Sequence, residues 1–82
     1  MNEIIQVLSD YIRNETGHSG DISPDEDLLT SGIIDSFNIV SLAMFAQERF
    51  GVELDDDDMV RNNLARLSTL AALIQRRLAD KA

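Results

Sequence analysis

Few side chains in this sequence could do chemistry. There is one histidine, His18, and no cysteine, and nearly half of the acids gather in two clusters, Asp25-Glu26-Asp27 and Asp55-Asp56-Asp57-Asp58. Such clusters invite a calcium reading, but an EF-hand loop needs oxygen donors at its first, third and fifth positions, Gly at the sixth and Glu at the twelfth. Counted from Asp55, Met59 takes the fifth position and Val60 the sixth. The pattern fails, and both clusters read as helix-start acids on a solvated surface. A single histidine set among Gly and Ser excludes a multi-histidine metal site and leaves any serine nucleophile one candidate base at most. Without cysteine there is no disulfide scaffold and no thiolate metal site. What remains is Asp35-Ser36, a carboxylate and a hydroxyl just ahead of a long apolar run. Taken alone, that pair is an ordinary helix cap.

The elements that position these groups follow from periodicity. Ile4, Ile5, Leu8, Tyr11 and Ile12 recur at spacings of three and four, which predicts an amphipathic helix over 3–14 with Asn2 as N-cap. Thr16, Gly17, Ser19 and Gly20 end it, and a long connection runs to Asp35. Within it, Ser23-Pro24-Asp25-Glu26 has the order of a cap, a first-position proline and first-turn acids, which predicts one short helical turn. Leu28, Leu29, Ile33 and Ile34 are too apolar for a solvated linker, so the connection is expected to lie across the helices and close the core. Residues 36–50 hold no Gly or Pro and end at Gly51, which predicts a second long helix. Asp55 to Asp58 predict a short third helix near 57–62. Ser68 is expected to cap a fourth, with Leu70, Leu73, Ile74 and Leu78 as its stripe and Arg76, Arg77 and Lys81 toward its negative end. The expectation is an all-α four-helix bundle, three helices long and one short, with a long loop between the first two.

At 82 residues the chain is one domain, 1–82, too small for separate cofactor and substrate domains. Apolar residues make up 44% and charged residues 27%, too hydrophobic for a disordered chain. The formal charge of −8 argues against nucleic acid, whose phosphates need clustered Lys and Arg. Most bases, Arg61, Arg66, Arg76, Arg77 and Lys81, stand near the C-terminus. No apolar run suits a membrane span, and Met-Asn-Glu-Ile-Ile does not read as a secretion signal, so cytoplasmic residence is the expectation.

The helix at 36–50 is the informative one. At about 100° per residue, Ile39, Leu42, Ala43, Ala46 and Phe50 share one face, the core stripe. Phe37, Val40 and Met44 share another, bounded by Ser41, Gln47 and Glu48. Either a second element covers this strip or it is kept for a partner, with adaptable Met44 near its centre.

Several stretches together carry a resemblance: Leu28-Leu29 and Gly32 leading into Asp35-Ser36-Phe37, the helix to Phe50-Gly51-Val52, the acids after Leu54, and Leu67-Ser68-Thr69-Leu70. Over nearly its whole length the chain resembles the acyl and peptidyl carrier proteins, small acidic four-helix bundles that carry substrates as thioesters. The resemblance implies a non-catalytic monomer in which a phosphopantetheinyl transferase attaches 4′-phosphopantetheine to Ser36, with Asp35 as the partner acid and Phe37, Val40 and Met44 as docking residues. An adenylating acyl or aminoacyl ligase and downstream condensing or transferase enzymes are the implied partners. Many fatty-acid carriers have a strongly acidic recognition helix, whereas here Asn38, Ser41 and Gln47 are neutral and Arg49 offsets Glu48. That pattern is closer to D-alanyl and nonribosomal-peptide or secondary-metabolite carriers. The alternatives are a fatty-acid carrier, or an unmodified helical adaptor docking through Phe37, Val40 and Met44.

Overall fold

In the computed structural model the described residues are 2–55, 58 and 64–81. Among them the chain forms three helices and no strand: α1 (Asn2–Thr16), α2 (Ser36–Phe50) and α3 (Leu67–Lys81). The all-α expectation holds. The short helix predicted near 57–62 falls, except for Asp58, outside the described residues.

Each helix ends where the backbone finds another partner for its groups. α1 already includes Asn2, and it continues past Asn14 to Thr16, whose Oγ1 donates back to the Ile12 carbonyl at 2.7 Å. Gly17 then takes φ +71 and gives its N–H to the Arg13 carbonyl at 2.9 Å. At the far end of α2, Gly51 adopts the left-handed conformation at φ 66 and ψ 33, and the Gln47 carbonyl accepts from it and from Val52.

Ile4, Leu8 and Ile12 of α1, Ile39, Leu42, Ala43 and Ala46 of α2, and Leu70, Leu73 and Ile74 of α3 meet in one core. Phe50 and Leu78 pack at its margin, half-buried. The loop between α1 and α2 closes this core as expected, through buried Ile22, Leu28 and Ile34 and half-buried Leu29 and Ile33.

Two local expectations are corrected. Ser23–Glu26 makes a single turn, Glu26 N–H to the Ser23 carbonyl at 3.2 Å, and no helix, because the Pro24 carbonyl is spent on the Ser68 N–H at 2.9 Å. Ser68 therefore lies inside α3 and does not cap it. The first α3 bond runs from Leu70 N–H to the Arg66 carbonyl, which also accepts from Thr69 Oγ1. Leu28 N–H to the Ala65 carbonyl at 2.9 Å and Arg66 Nε to the Asp25 carbonyl at 3.1 Å complete the fastening of the loop to the start of α3.

Candidate functional site

The Asp35-Ser36 corner is built by its own four residues. Asp35 is extended at φ −112 and ψ −178, and its carboxylate accepts from the Asn38 N–H at 2.8 Å. The Asn38 side chain reaches back and accepts from the Asp35 N–H at 3.2 Å, closing a capping box. Ile39 N–H bonds the Asp35 carbonyl at 3.1 Å. Gly32, at φ +83, turns the chain into this corner, a backbone that an L side chain would strain.

The cap is thus Asp35, which releases Ser36 from that duty. Ser36 is exposed, and its hydroxyl makes no hydrogen bond among the described residues. The N–H groups of Ser36 and Phe37 likewise have no partner there, since the capping box takes only the third one. The first turn of α2 carries no acid. An exposed nucleophilic oxygen therefore stands beside two open backbone donors at the positive end of a helix, where a phosphate ester is favoured.

The strip next to it is open. Phe37 is 80% exposed, Val40 54% and Met44 55%, while Ile39, Leu42, Ala43 and Ala46 on the opposite stripe are buried. No described element covers the strip.

Its polar boundary differs from the one expected. Gln47 is half-buried and structural, its Oε1 accepting from the Leu54 N–H at 3.0 Å. Ser41 and Glu48 line a cleft between α1 and α2 with Tyr11, Met44 and Phe45. Arg49 points elsewhere, its guanidinium 5.5 Å from the centre of the Phe50 ring, in a groove shared with Glu3, Ile4, Val7, Gln75 and Leu78. Successive residues on a helix lie about 100° apart, so Arg49 does not offset Glu48 on one face.

Three of the clustered acids, Asp27, Asp55 and Asp58, hold backbone groups or arginines. Asp27 Oδ1 accepts from the Leu29 and Thr30 N–H groups at 3.1 Å each, and Arg66 lies 3.9 Å from its other oxygen. Asp55 and Asp58 exchange bonds like those of a second capping box. Asp58 is not solvated as expected: it is 6% exposed, and Arg77 grips both of its oxygens at 2.6–2.7 Å. Burial alone would raise its pKa, but the Arg77 and Asp55 hydrogen bonds outweigh that and hold it below the usual carboxylate range. Sequence reading missed this pair, whose members are 19 residues apart. No group of three or more metal-ligating side chains occurs among the described residues, and no helix there is long and apolar enough to cross a membrane.

Comparison with known proteins adds an independent line. A family model described as the phosphopantetheine attachment site matches residues 6–77. The chain is 33% identical over 58 residues to an acyl carrier protein of Thermobifida fusca (strain YX), covering 70% of this chain and 73% of that one. It is 28% identical over 75 residues to meromycolate extension acyl carrier proteins of Mycolicibacterium aurum and Mycolicibacterium smegmatis (strain ATCC 700084 / mc(2)155). Those alignments cover 90% of this chain and 75% and 74% of the relatives.

Proposed function

The chain belongs to the phosphopantetheine-binding acyl carrier protein family, and from that premise we propose that Ser36 bears the arm and that α2 presents it to partner enzymes. The family carries covalently attached 4′-phosphopantetheine. One observation supports Ser36 above all: its hydroxyl is exposed and unengaged because Asp35 caps the helix in its place. The open N–H groups of Ser36 and Phe37 fit the phosphodiester that attachment would leave there.

The arm, when bound, supplies the thiol that this cysteine-free chain lacks, and acyl or aminoacyl groups ride on it as thioesters. The chain's own part is positional. Asp35 and Asn38 fix the first turn, the helix start favours the phosphate charge, and Phe37, Val40 and Met44 offer apolar contact to a phosphopantetheinyl transferase and later enzymes. Bond making and breaking belong to those enzymes.

An amino-acid- or small-acid-activating ligase is the loading partner that fits best, in nonribosomal peptide or related secondary metabolism, because the first turn of α2 has no acid and Asn38 stands at its third position. Fatty-acyl elongation is the second reading, favoured by the names of the mycobacterial-type relatives.

Incubation with coenzyme A and a broad-specificity phosphopantetheinyl transferase, followed by intact mass, tests the site. The wild type should gain one phosphopantetheinyl mass and Ser36→Ala none. Modification surviving in Ser36→Ala would move the site, with Ser31 and Ser41 the nearest candidates, and an unmodified wild type would leave the adaptor reading. Loading of the modified protein by adenylating ligases, set against malonyl transfer by a fatty-acid transacylase, decides the pathway. Efficient malonyl transfer with no ligase loading would return the protein to fatty-acid synthesis.

A further inference from the structure

The chain has three methionines and no cysteine, so the thioether is the one sulfur group it carries. Met1 and Met59 lie outside the described residues, and Met44 lies within them. It takes no part in the core. Ile39, Leu42, Ala43 and Ala46 fill that role on α2, while Met44 keeps more than half of its surface in solvent. A helix of the bundle thus holds an oxidisable sulfur where water and small oxidants reach it.

The neighbours of Met44 give that exposure a consequence. Among the described residues, Phe37, Val40 and Met44 are the large apolar side chains left in solvent, and they share one face of α2. Met44 ends this strip and carries it into the cleft of Tyr11 and Phe45, whose rings stack with centroids 4.1 Å apart. A thioether suits such a place because it is apolar, polarizable and adaptable. A sulfoxide does not. Its oxygen is an acceptor that loses free energy when covered without a donor, and Glu48, one turn further on in the same cleft, is an acceptor too once ionised. Eight residues at 1.5 Å each also place Met44 about 12 Å along the helix from Ser36. Oxidation there alters the face and leaves the hydroxyl and its cap as they are.

We infer that Met44 is a reversible oxidation site that weakens docking on α2 when it carries oxygen. The inference rests on α2 being the docking helix and adds its regulation. Hydrogen peroxide is the oxidant. The sulfur lone pair attacks one peroxide oxygen, the S–O bond forms as the O–O bond breaks, and the other oxygen takes the proton of the first and leaves as water. Sulfur gives up two electrons and the peroxide gains them. Methionine sulfoxide reductases reverse the step, releasing the oxygen as water while two thiols become a disulfide.

The test uses the full chain before phosphopantetheinyl transfer, treated with hydrogen peroxide and then freed of it, so that coenzyme A meets no oxidant. Peptide mapping should find one added oxygen on Met44, gained as fast in the native protein as in urea, as an exposed thioether requires. Circular dichroism and the melting temperature should not move. With a broad-specificity phosphopantetheinyl transferase, the KM for the oxidised chain should rise about four- to fifteenfold, as if one or two methylene groups were no longer buried, with little change in kcat. Reductases for both sulfoxide epimers should restore it. Met44→Leu, judged against its own untreated rate, should not respond to peroxide, and Met59→Leu should respond in full. Much slower oxidation in the native protein than in urea, unfolding on oxidation, an unchanged KM, or a response that survives in Met44→Leu would overturn the inference. The untreated wild type separates the two failures. A normal mass gain there with no effect of Met44 oxidation sinks only the regulation, whereas no mass gain sinks the carrier reading and the regulation with it.

Discussion

The chain uses one local device twice, at Asp35/Asn38 and at Asp55/Asp58, to opposite ends. In both, the first residue accepts from the N–H three residues on, and that residue's side chain accepts from the first one's N–H. At α2 the returning side chain is neutral Asn38, the corner stays exposed, and no long-range ion pair is attached to it. At the other corner the returning side chain is the carboxylate of Asp58, which is buried and must be neutralised by Arg77 from α3. A neutral box leaves a helix end free to receive a charged modification. A charged box ties its corner into the bundle.

The comparison breaks most readily through stability, with the core as yardstick. Leu42→Ala should cost about 2–5 kcal/mol, read by chemical denaturation, and Met44→Glu on the same helix should stay within about 0.5 kcal/mol while slowing loading or transfer. If Met44→Glu unfolds the protein as badly as Leu42→Ala, the strip is core and the docking face is lost.

Next in size is the charged box. Asp58→Ala should cost about 1–3 kcal/mol, less than a fully buried pair because Arg77 keeps contact with water. Its pH dependence has a definite sign. A carboxylate whose folded pKa is lowered stabilises above its unfolded pKa, near 3.8, and that contribution disappears as pH falls through the folded value. The melting-temperature gap between wild type and Asp58→Asn should therefore be widest near neutrality and shrink below about pH 4. A gap independent of pH would mean that the pair contributes packing and not charge.

The smallest effect belongs to the neutral box. Asp35→Ala should cost about 1 kcal/mol of stability, whereas Asp35→Asn keeps a good cap and should melt within about 0.5 kcal/mol of wild type. If the Asp35 charge also serves the attachment reaction, Asp35→Asn should slow the gain of phosphopantetheinyl mass without unfolding. Normal modification of that variant would confine Asp35 to capping.

What the sequence made legible is what lies close along the chain. The span of α2 came out as 36–50 because both of its stops, Asp35 and Gly51, stand next to it, and the Phe37–Val40–Met44 strip follows from a helical turn alone. The Asp58–Arg77 pair did not, since nothing near either residue marks the other. Ser68 looked like a cap because its type favours one, yet Pro24, far away in sequence, supplies the acceptor its N–H needs. Glu48 and Arg49 looked compensated because they are neighbours in sequence, and on a helix neighbours face different ways.

The bonds that join Leu28 to Ala65, Pro24 to Ser68 and Asp25 to Arg66 link stretches about forty residues apart. None of these backbone groups can open to solvent unless the loop and the start of α3 part together. Amide exchange at Leu28 and at Ser68 should therefore share one opening free energy, making the connection ahead of Ser36 and the first turn of the last helix a single cooperative unit. Such a unit would hold the approach to Ser36 steady through the succession of partners proposed for α2, which is bounded by its own caps.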